Sequence, residues 1–242
     1  MTYVMSDIHG CYDLYMKMLE KIEFTDDDTL YILGDVVDRG PKPMEVLLDM
    51  SMRANVILIF GNHDYIAYKI LKQLLLELTE ENIKKHFGSD LENFYRDLVE
   101  WENIGGSPTI KGFGQLKLNE RESIIEYLSE FNNNLYETLT VNDRKYILAH
   151  IGLPDKMTKD NLNDFDAVDF LGPDINIDYK REYFSDIFLV TGHIPTVVID
   201  EIYESRIYRK HNHIAIDTGA VFGYALCCLC LDTDEEFYIY NA

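Results

Sequence analysis

Five short polar segments carry residues whose types could do chemistry together: Asp7-x-His9, Gly34-Asp35-x-x-Asp38-Arg39-Gly40, Gly61-Asn62-His63-Asp64, His150-x-Gly152 and Gly192-His193. Each closes or follows an apolar run. Asp, Asn and His ligate hard or borderline divalent cations through oxygen and imidazole nitrogen, and the absence of Cys among them points away from structural zinc. The glycines let the backbone turn sharply and bring side chains close to a shared point. Taken alone, Asp7 or Asp38 reads as a helix cap or turn carboxylate, and any one of His9, His63, His150 and His193 reads as a core or surface histidine. Four histidines at strand ends, inside matching polar segments, reverse that preference.

The elements that must position these segments follow from apolar spacing. Residues 3–5 form a short apolar run before the first segment, and Leu14, Met18, Leu19 and Ile22 then recur at helical spacing. The pattern returns at residues 30–33, where a polar loop with the turn residues Arg39-Gly40-Pro41 precedes a helical stretch through Met44, Leu47 and Leu48. A third unit runs from residues 56–60 through the Asn62-His63 loop into a helix near Tyr65. Three such units predict a mainly parallel sheet, with ligands gathering at the carboxyl ends of its strands.

From about residue 71 to 128 the spacing is helical with charged outer faces, broken at Gly105-Gly106-Ser107-Pro108. This reads as a helical cap, with Leu71, Leu74, Leu75 and Leu78 as a packing stripe. Strands are predicted at 146–149, 187–190, 197–199, 213–216, 224–231 and 237–240, which are rich in β-branched and aromatic residues. The two halves are expected to pack as two sheets inside one domain, residues 1–242, with helices outside.

A formal charge of -21 argues against a broad basic surface for nucleic acid or anionic lipid, so any phosphate site must be locally positive. No apolar run is long enough to span a membrane and no basic-then-apolar leader opens the chain, so the expected location is the cytoplasm. Cys11, Cys227, Cys228 and Cys230 do not resemble a secreted disulfide framework and read as reduced thiols. Cys11 reads as a small buried residue at a helix start, and His86, His211 and His213 as solvated or packing residues.

The order of the five segments resembles the calcineurin-like metallophosphoesterases, in particular their phosphoprotein phosphatase branch, which holds bacterial and phage serine/threonine phosphatases and symmetrical diadenosine tetraphosphatases. Asp217-Thr218-Gly219 looks like a bacterial version of that branch's carboxyl-terminal part. The resemblance implies an α/β, four-layer α-β-β-α sandwich of two mixed sheets flanked by helices, with a helical cap insertion at about residues 71–130. It implies two divalent metal ions, with Asp7 and His9 on one, Asp35 bridging both, and Asn62, His150 and His193 completing the second. Manganese is the expected metal, and iron, zinc and magnesium are compatible with the same donors. A metal-bridging hydroxide would attack the phosphorus directly, and the ions would offset the two carboxylates to leave a locally positive site. By the same resemblance His63 protonates the leaving group, Asp38 fixes its tautomer, and Arg39 grips the phosphate alongside Asn62.

In one respect the chain departs from the pattern. The segment Phe170-Leu171-Gly172-Pro173-Asp174 carries no arginine where relatives place a second phosphate grip, and Lys180 and Arg181 do not match it. Trp101 with Gly105-Gly106 resembles a segment of bacterial members and reads equally as a helix stop with an aromatic anchor or as a neighbour of the substrate cleft. The expected activity is hydrolysis of phosphomonoesters, foremost phosphoserine and phosphothreonine in proteins, because Asp38 stands where many dinucleotide hydrolases lack an acid. The alternatives are a dinucleoside polyphosphate hydrolase, a nucleotide or RNA-end phosphatase, and a metal-binding scaffold without catalysis. The expected partner is a phosphorylated substrate, with no broad nucleic-acid surface and no membrane, and the sequence sets no oligomeric state.

Overall fold

Alternation in the apolar strands sorts their side chains onto two faces, and each face finds its own core. In β1 (Thr2–Met5), Tyr3 and Met5 turn toward helices while Val4 joins Leu33, Ile59, Tyr146, Leu148, Val190 and Ile214 in a second cluster between two sheets. Each fully buried Leu, Ile or Val contributes roughly 1.5–3 kcal/mol relative to exposure. A one-residue slip would move such a strand's apolar set to the wrong face, so the register is tightly specified.

The computed structural model describes residues 1–75, 90–153, 156–158, 160–172 and 177–241. Leu78, His86 and the Pro173-Asp174 pair lie outside the described residues. Two mixed five-stranded sheets stack with helices on their outer faces. The first has the order β10-β9-β1-β2-β3, with β2 (Thr29–Leu33), β3 (Val56–Ile59), β9 (Ala225–Cys230) and β10 (Glu236–Tyr240). Its strands β1, β2 and β3 are parallel, and β9 and β10 run antiparallel to their neighbours. The second has the order β4-β5-β6-β8-β7, with β4 (Tyr136–Val141), β5 (Arg144–Ala149), β6 (Ile187–Thr191), β7 (Tyr208–Lys210) and β8 (His213–Ala215). Strands β5, β6 and β8 are parallel.

Helices α1 (Tyr12–Lys21), α2 (Pro43–Ser51) and α3 (Asn62–Leu71) follow β1, β2 and β3 in turn. Between α3 and β4 lie α4 (Leu91–Trp101), a wide turn over Glu102–Gly106, α5 (Ser107–Gln115) and α6 (Leu118–Phe131). A short α7 (Ala167–Leu171) precedes β6, and Tyr136 stacks on its Phe170 at 5.3 Å.

One predicted strand is a helix. Val197 to Ile199 belong to α8 (Thr196–Ile199), although their β-branched side chains favour a strand. Pro195 opens the turn with φ -53, the Thr196 N–H is taken by the Asp217 carbonyl at 2.8 Å, the Asp200 N–H closes the turn on the Thr196 carbonyl at 3.1 Å, and Val198 points to solvent. Strands β4 and β7 escape the sequence reading because β4 is only half-buried and β7 is three residues long.

Candidate dinuclear metal centre

The parallel strands of both sheets deliver their polar loops to one edge. Asp7 and His9 follow β1, Asp35, Asp38 and Arg39 follow β2, Asn62 and His63 open α3, His150 follows β5 and His193 follows β6. Of these nine residues, six (Asp7, His9, Asp35, Asp38, Arg39 and His193) have left-handed φ between 44° and 70°. That conformation costs a non-glycine residue on the order of 1–2 kcal/mol, so the fold concentrates backbone strain where the side chains must converge. Close approach needs glycine beside them: a Cβ on Gly61 would overlap the Asp35 carboxylate, and one on Gly192 would overlap Ser6 and Asp7.

Ligand atoms of His9, Asp35 and His63 lie within 4.8 Å of one another, as do those of Asp35, His150 and His193. Asp35 is shared by the two groups. Its Oδ2 is 3.6 Å from His9 Nε2 and 4.0 Å from His63 Nε2, and its Oδ1 is 3.3 Å from His150 Nε2. Asn62 Oδ1 meets His150 Nε2 at 3.0 Å. Asp7 falls in neither group. It accepts the His193 N–H at 2.9 Å and the Ser6 hydroxyl through Oδ2, while its buried Oδ1 has no hydrogen-bond partner.

These donors fit a cation centre on two observations. The orphaned Asp7 Oδ1 is a buried acceptor that a cation would satisfy. His9 and His150 each donate Nδ1–H to a backbone carbonyl, Val37 and Leu33, both at 2.7 Å, which turns Nε2 toward the centre as metal-ligating histidines require. The buried groups also act strongly on one another's charge. Burial raises the Asp7 carboxyl to about 7, against the pull of His150. Burial also acts to raise Asp35, yet His150, His63 and His9 hold it well below the usual carboxylate range. His150 is raised to about 10 because Asp35 and Asp7 outweigh burial, whereas burial lowers His9 and His193 to about 4.

Beside this centre His63 donates Nδ1–H to Asp38 Oδ2 at 2.6 Å, and both side chains are buried. Arg39 faces solvent, with Nη1 at 2.5 Å from His9 Nε2 and Nη2 at 2.8 Å from His63 Nε2. Its guanidinium lies 5.6 Å from the exposed ring of Phe222. The α3 amino terminus, at Asn62 and His63, adds a positive helix end to the same centre.

Sequence reasoning missed four contributors. Asp64, quoted only within its motif, accepts the backbone N–H groups of Asp35 at 2.7 Å, Val36 at 3.0 Å and Gly61 at 3.1 Å, and so ties two site loops together. Thr109 bonds to Asp38, and Phe222 stands beside Arg39. Asp217 was read only as part of a carboxyl-terminal motif, but it is buried close enough to Asp7 for the two charges to interact, and burial with that neighbour pushes its carboxyl well above the usual range. Only Asp64 left a signal, as an acid three residues past a glycine at a helix start. Burial raises the Cys11 thiol to about 11, the direction of an unreactive residue. His213 is a packing residue, stacked on Tyr179 at 5.0 Å.

Among the described residues, no helix is long and apolar enough to cross a membrane. A symmetrical bis(5'-nucleosyl)-tetraphosphatase of Salmonella paratyphi B is 46% identical over 65 residues, a stretch that is 26% of this chain and 23% of that protein. The solved structure of a candidate diadenosine tetraphosphatase superposes with a TM-score of 0.64 at 16% identity, covering 100% of this chain and 93% of its own. A metallophosphoesterase from Sphaerobacter thermophilus follows at 0.51 and 14% identity, covering 99% of this chain and 86% of its own. The profile of the family described as calcineurin-like phosphoesterase matches residues 2–220, and the chain belongs to this family of metal-dependent phosphoester hydrolases, whose members use a dinuclear divalent metal centre.

Proposed function

We propose that the protein hydrolyses phosphomonoesters with alkoxide leaving groups, foremost phosphoserine and phosphothreonine in proteins, with two divalent ions held by Asp7, His9, Asp35, Asn62, His150 and His193. Manganese is the expected metal. When bound, the ions supply positive charge at the phosphate and lower the pKa of coordinated water from about 15.7 towards about 7. Arg39, exposed beside His9 and His63, would bind two phosphate oxygens through its planar fork, and Asn62 would orient the same group. His63 would protonate the departing oxygen from Nε2, with Asp38 fixing the tautomer through Nδ1. A bound phosphate draws the Arg39 guanidinium to itself and away from His63 Nε2, where the proton must sit. The four free thiols support a reducing, cytoplasmic location, and the helices between β3 and β4 read as a cap within a single domain.

The observation that carries this reading is the buried His63–Asp38 pair at 2.6 Å. An alkoxide is about as basic as hydroxide, so its departure needs a proton. A nucleotide phosphate, with a second pKa of about 6, leaves without one. A dedicated proton donor therefore favours alkyl phosphomonoesters. A second reading, hydrolysis of dinucleoside polyphosphates, is favoured by the tetraphosphatase match and by Phe222, an exposed ring beside Arg39 on which a base could stack.

The test offers the manganese-loaded protein a phosphoserine peptide and diadenosine tetraphosphate in parallel, with turnover expected on the peptide. Hydrolysis of the dinucleotide alone would replace the first reading by the second. His63→Asn should lower kcat on the peptide by roughly 10²–10⁴-fold and on p-nitrophenyl phosphate by much less, with metal content unchanged. Equal losses on both esters would remove His63 as the proton donor.

A further inference from the structure

Asp38 is held from the far side by the helical insertion. Trp101, the last residue of α4 and the chain's single tryptophan, is 1% exposed and donates Nε1–H to Asp38 Oδ2 at 2.7 Å, the same oxygen that accepts His63 Nδ1–H. Thr109, fully buried in α5, donates its hydroxyl to Asp38 Oδ1 at 2.6 Å and accepts the Asp38 N–H at 2.9 Å. Between them the Gly105 carbonyl accepts the Arg39 N–H at 2.8 Å. Gly106 lies against the indole so closely that a Cβ there would stand 2.7 Å from three ring atoms.

A carboxylate has two equivalent oxygens and a soft terminal torsion, so one bond to His63 would leave its plane free to rock. Donors of different kinds on its two oxygens remove that equivalence. They fix the direction in which Oδ2 presents to the imidazole. The bond from the Asp38 N–H to Thr109 also secures the left-handed backbone, φ 70°, from which the carboxylate projects. A buried tryptophan must satisfy its N–H somewhere, and here the acceptor is the carboxylate oxygen that holds His63 Nδ1.

We propose that Trp101 and Thr109 are positioning residues for proton donation by His63, which makes the helical insertion a working part of the leaving-group step. This rests on the reading of His63 as the proton donor. Trp101→Phe keeps an aromatic ring, smaller than the indole, and deletes the donor. It should lower kcat on a phosphoserine peptide by roughly 10-fold or more, as expected for a charge-assisted hydrogen bond, while p-nitrophenyl phosphate falls less and KM changes little. In a His63→Asn background the same change should have no further effect, because Trp101 acts through His63. Thr109→Val should reproduce the selective loss, and Thr109→Ser, which retains the hydroxyl, should restore it.

A second readout needs neither metal nor turnover. The single tryptophan gives one indole N–H resonance in the ¹⁵N-labelled protein, which should lie downfield of the usual indole position and move on Asp38→Asn. An ordinary resonance indifferent to Asp38 overturns the proposal. So does an equal loss on both esters in Trp101→Phe, or an additive loss in the double variant. If His63→Asn itself lacks leaving-group selectivity, the donor assignment fails and this proposal with it. Selectivity in His63→Asn but not in Trp101→Phe defeats the positioning role alone.

Discussion

The side chains of the strand-end loops are aimed by backbone in their own and neighbouring loops. Asp7, His9, Asp35 and His193 project from left-handed residues, and the Val37 and Leu33 carbonyls orient His9 and His150. The helical insertion works at a distance, with the side chains of Trp101 and Thr109 reaching Asp38 across 63 and 71 residues of sequence. On the proposed assignment the backbone-aimed groups supply the metal ligands, whose positions tolerate little error. Side-chain-aimed groups adjust an assembly that already exists. Losses should therefore be large and metal-linked in the loops, and modest and leaving-group-linked in the insertion.

The largest effect is expected at Asp35, the one carboxylate common to both groups of ligand atoms. Asp35→Asn should lower kcat/KM by more than about 10³-fold, and elemental analysis should find both metals weakened together. Retention of one full equivalent would undo the sharing of Asp35 and, with it, the contrast between a ligand core and an adjusting insertion.

Asp64 comes next, and its role is structural. Asp64→Ala leaves three buried N–H groups of two loops without their acceptor, each worth about 1–3 kcal/mol. The loss should be on the order of 3 kcal/mol or more, a fall in Tm of roughly 6–12 °C for a chain of this size. A Tm within about 2 °C of the parent would mean that the loops hold their shape without the clamp. The aiming would then belong to the turns themselves.

The contrast also explains what was legible in the sequence. Strand-end residues could be read because their types carry chemistry and their glycines mark the turns. Both five-stranded sheets were foreshadowed by apolar runs, except where β4 is half-exposed, where β7 is short, and where Pro195 and Asp217 turned a β-branched run into α8. Residue type alone was not enough. His150 and His213 lie in the same sheet region and are both buried, but Asp35 and Asp7 raise His150 to about 10, whereas burial alone lowers His213 to about 4. What separates them is neighbours that no local pattern specifies. Trp101 illustrates the limit: beside Gly105-Gly106 it reads equally as a helix-stop anchor or a neighbour of the cleft, and its N–H becomes meaningful only when the insertion folds back onto Asp38.

The smallest effect, and the sharpest for the comparison, is expected at Gly106. Its φ of -69° suits any residue, so Gly106→Ala adds no backbone strain and acts through the new methyl against the indole. The new methyl would stand 2.7 Å from three atoms of a buried indole, so the ring must shift to admit it, overpacking costs about 1–3 kcal/mol, and the N–H bond is lengthened. Turnover on a phosphoserine peptide should fall about 3- to 10-fold, with metal content intact and p-nitrophenyl phosphate less affected. Adding Trp101→Phe should then cost less than it does in the parent, because the bond it deletes is already weakened. A loss of bound metal in Gly106→Ala would show instead that the insertion braces the ligand loops. The division between backbone-aimed ligands and a side-chain-aimed proton donor would then fail at the junction where the two regions touch.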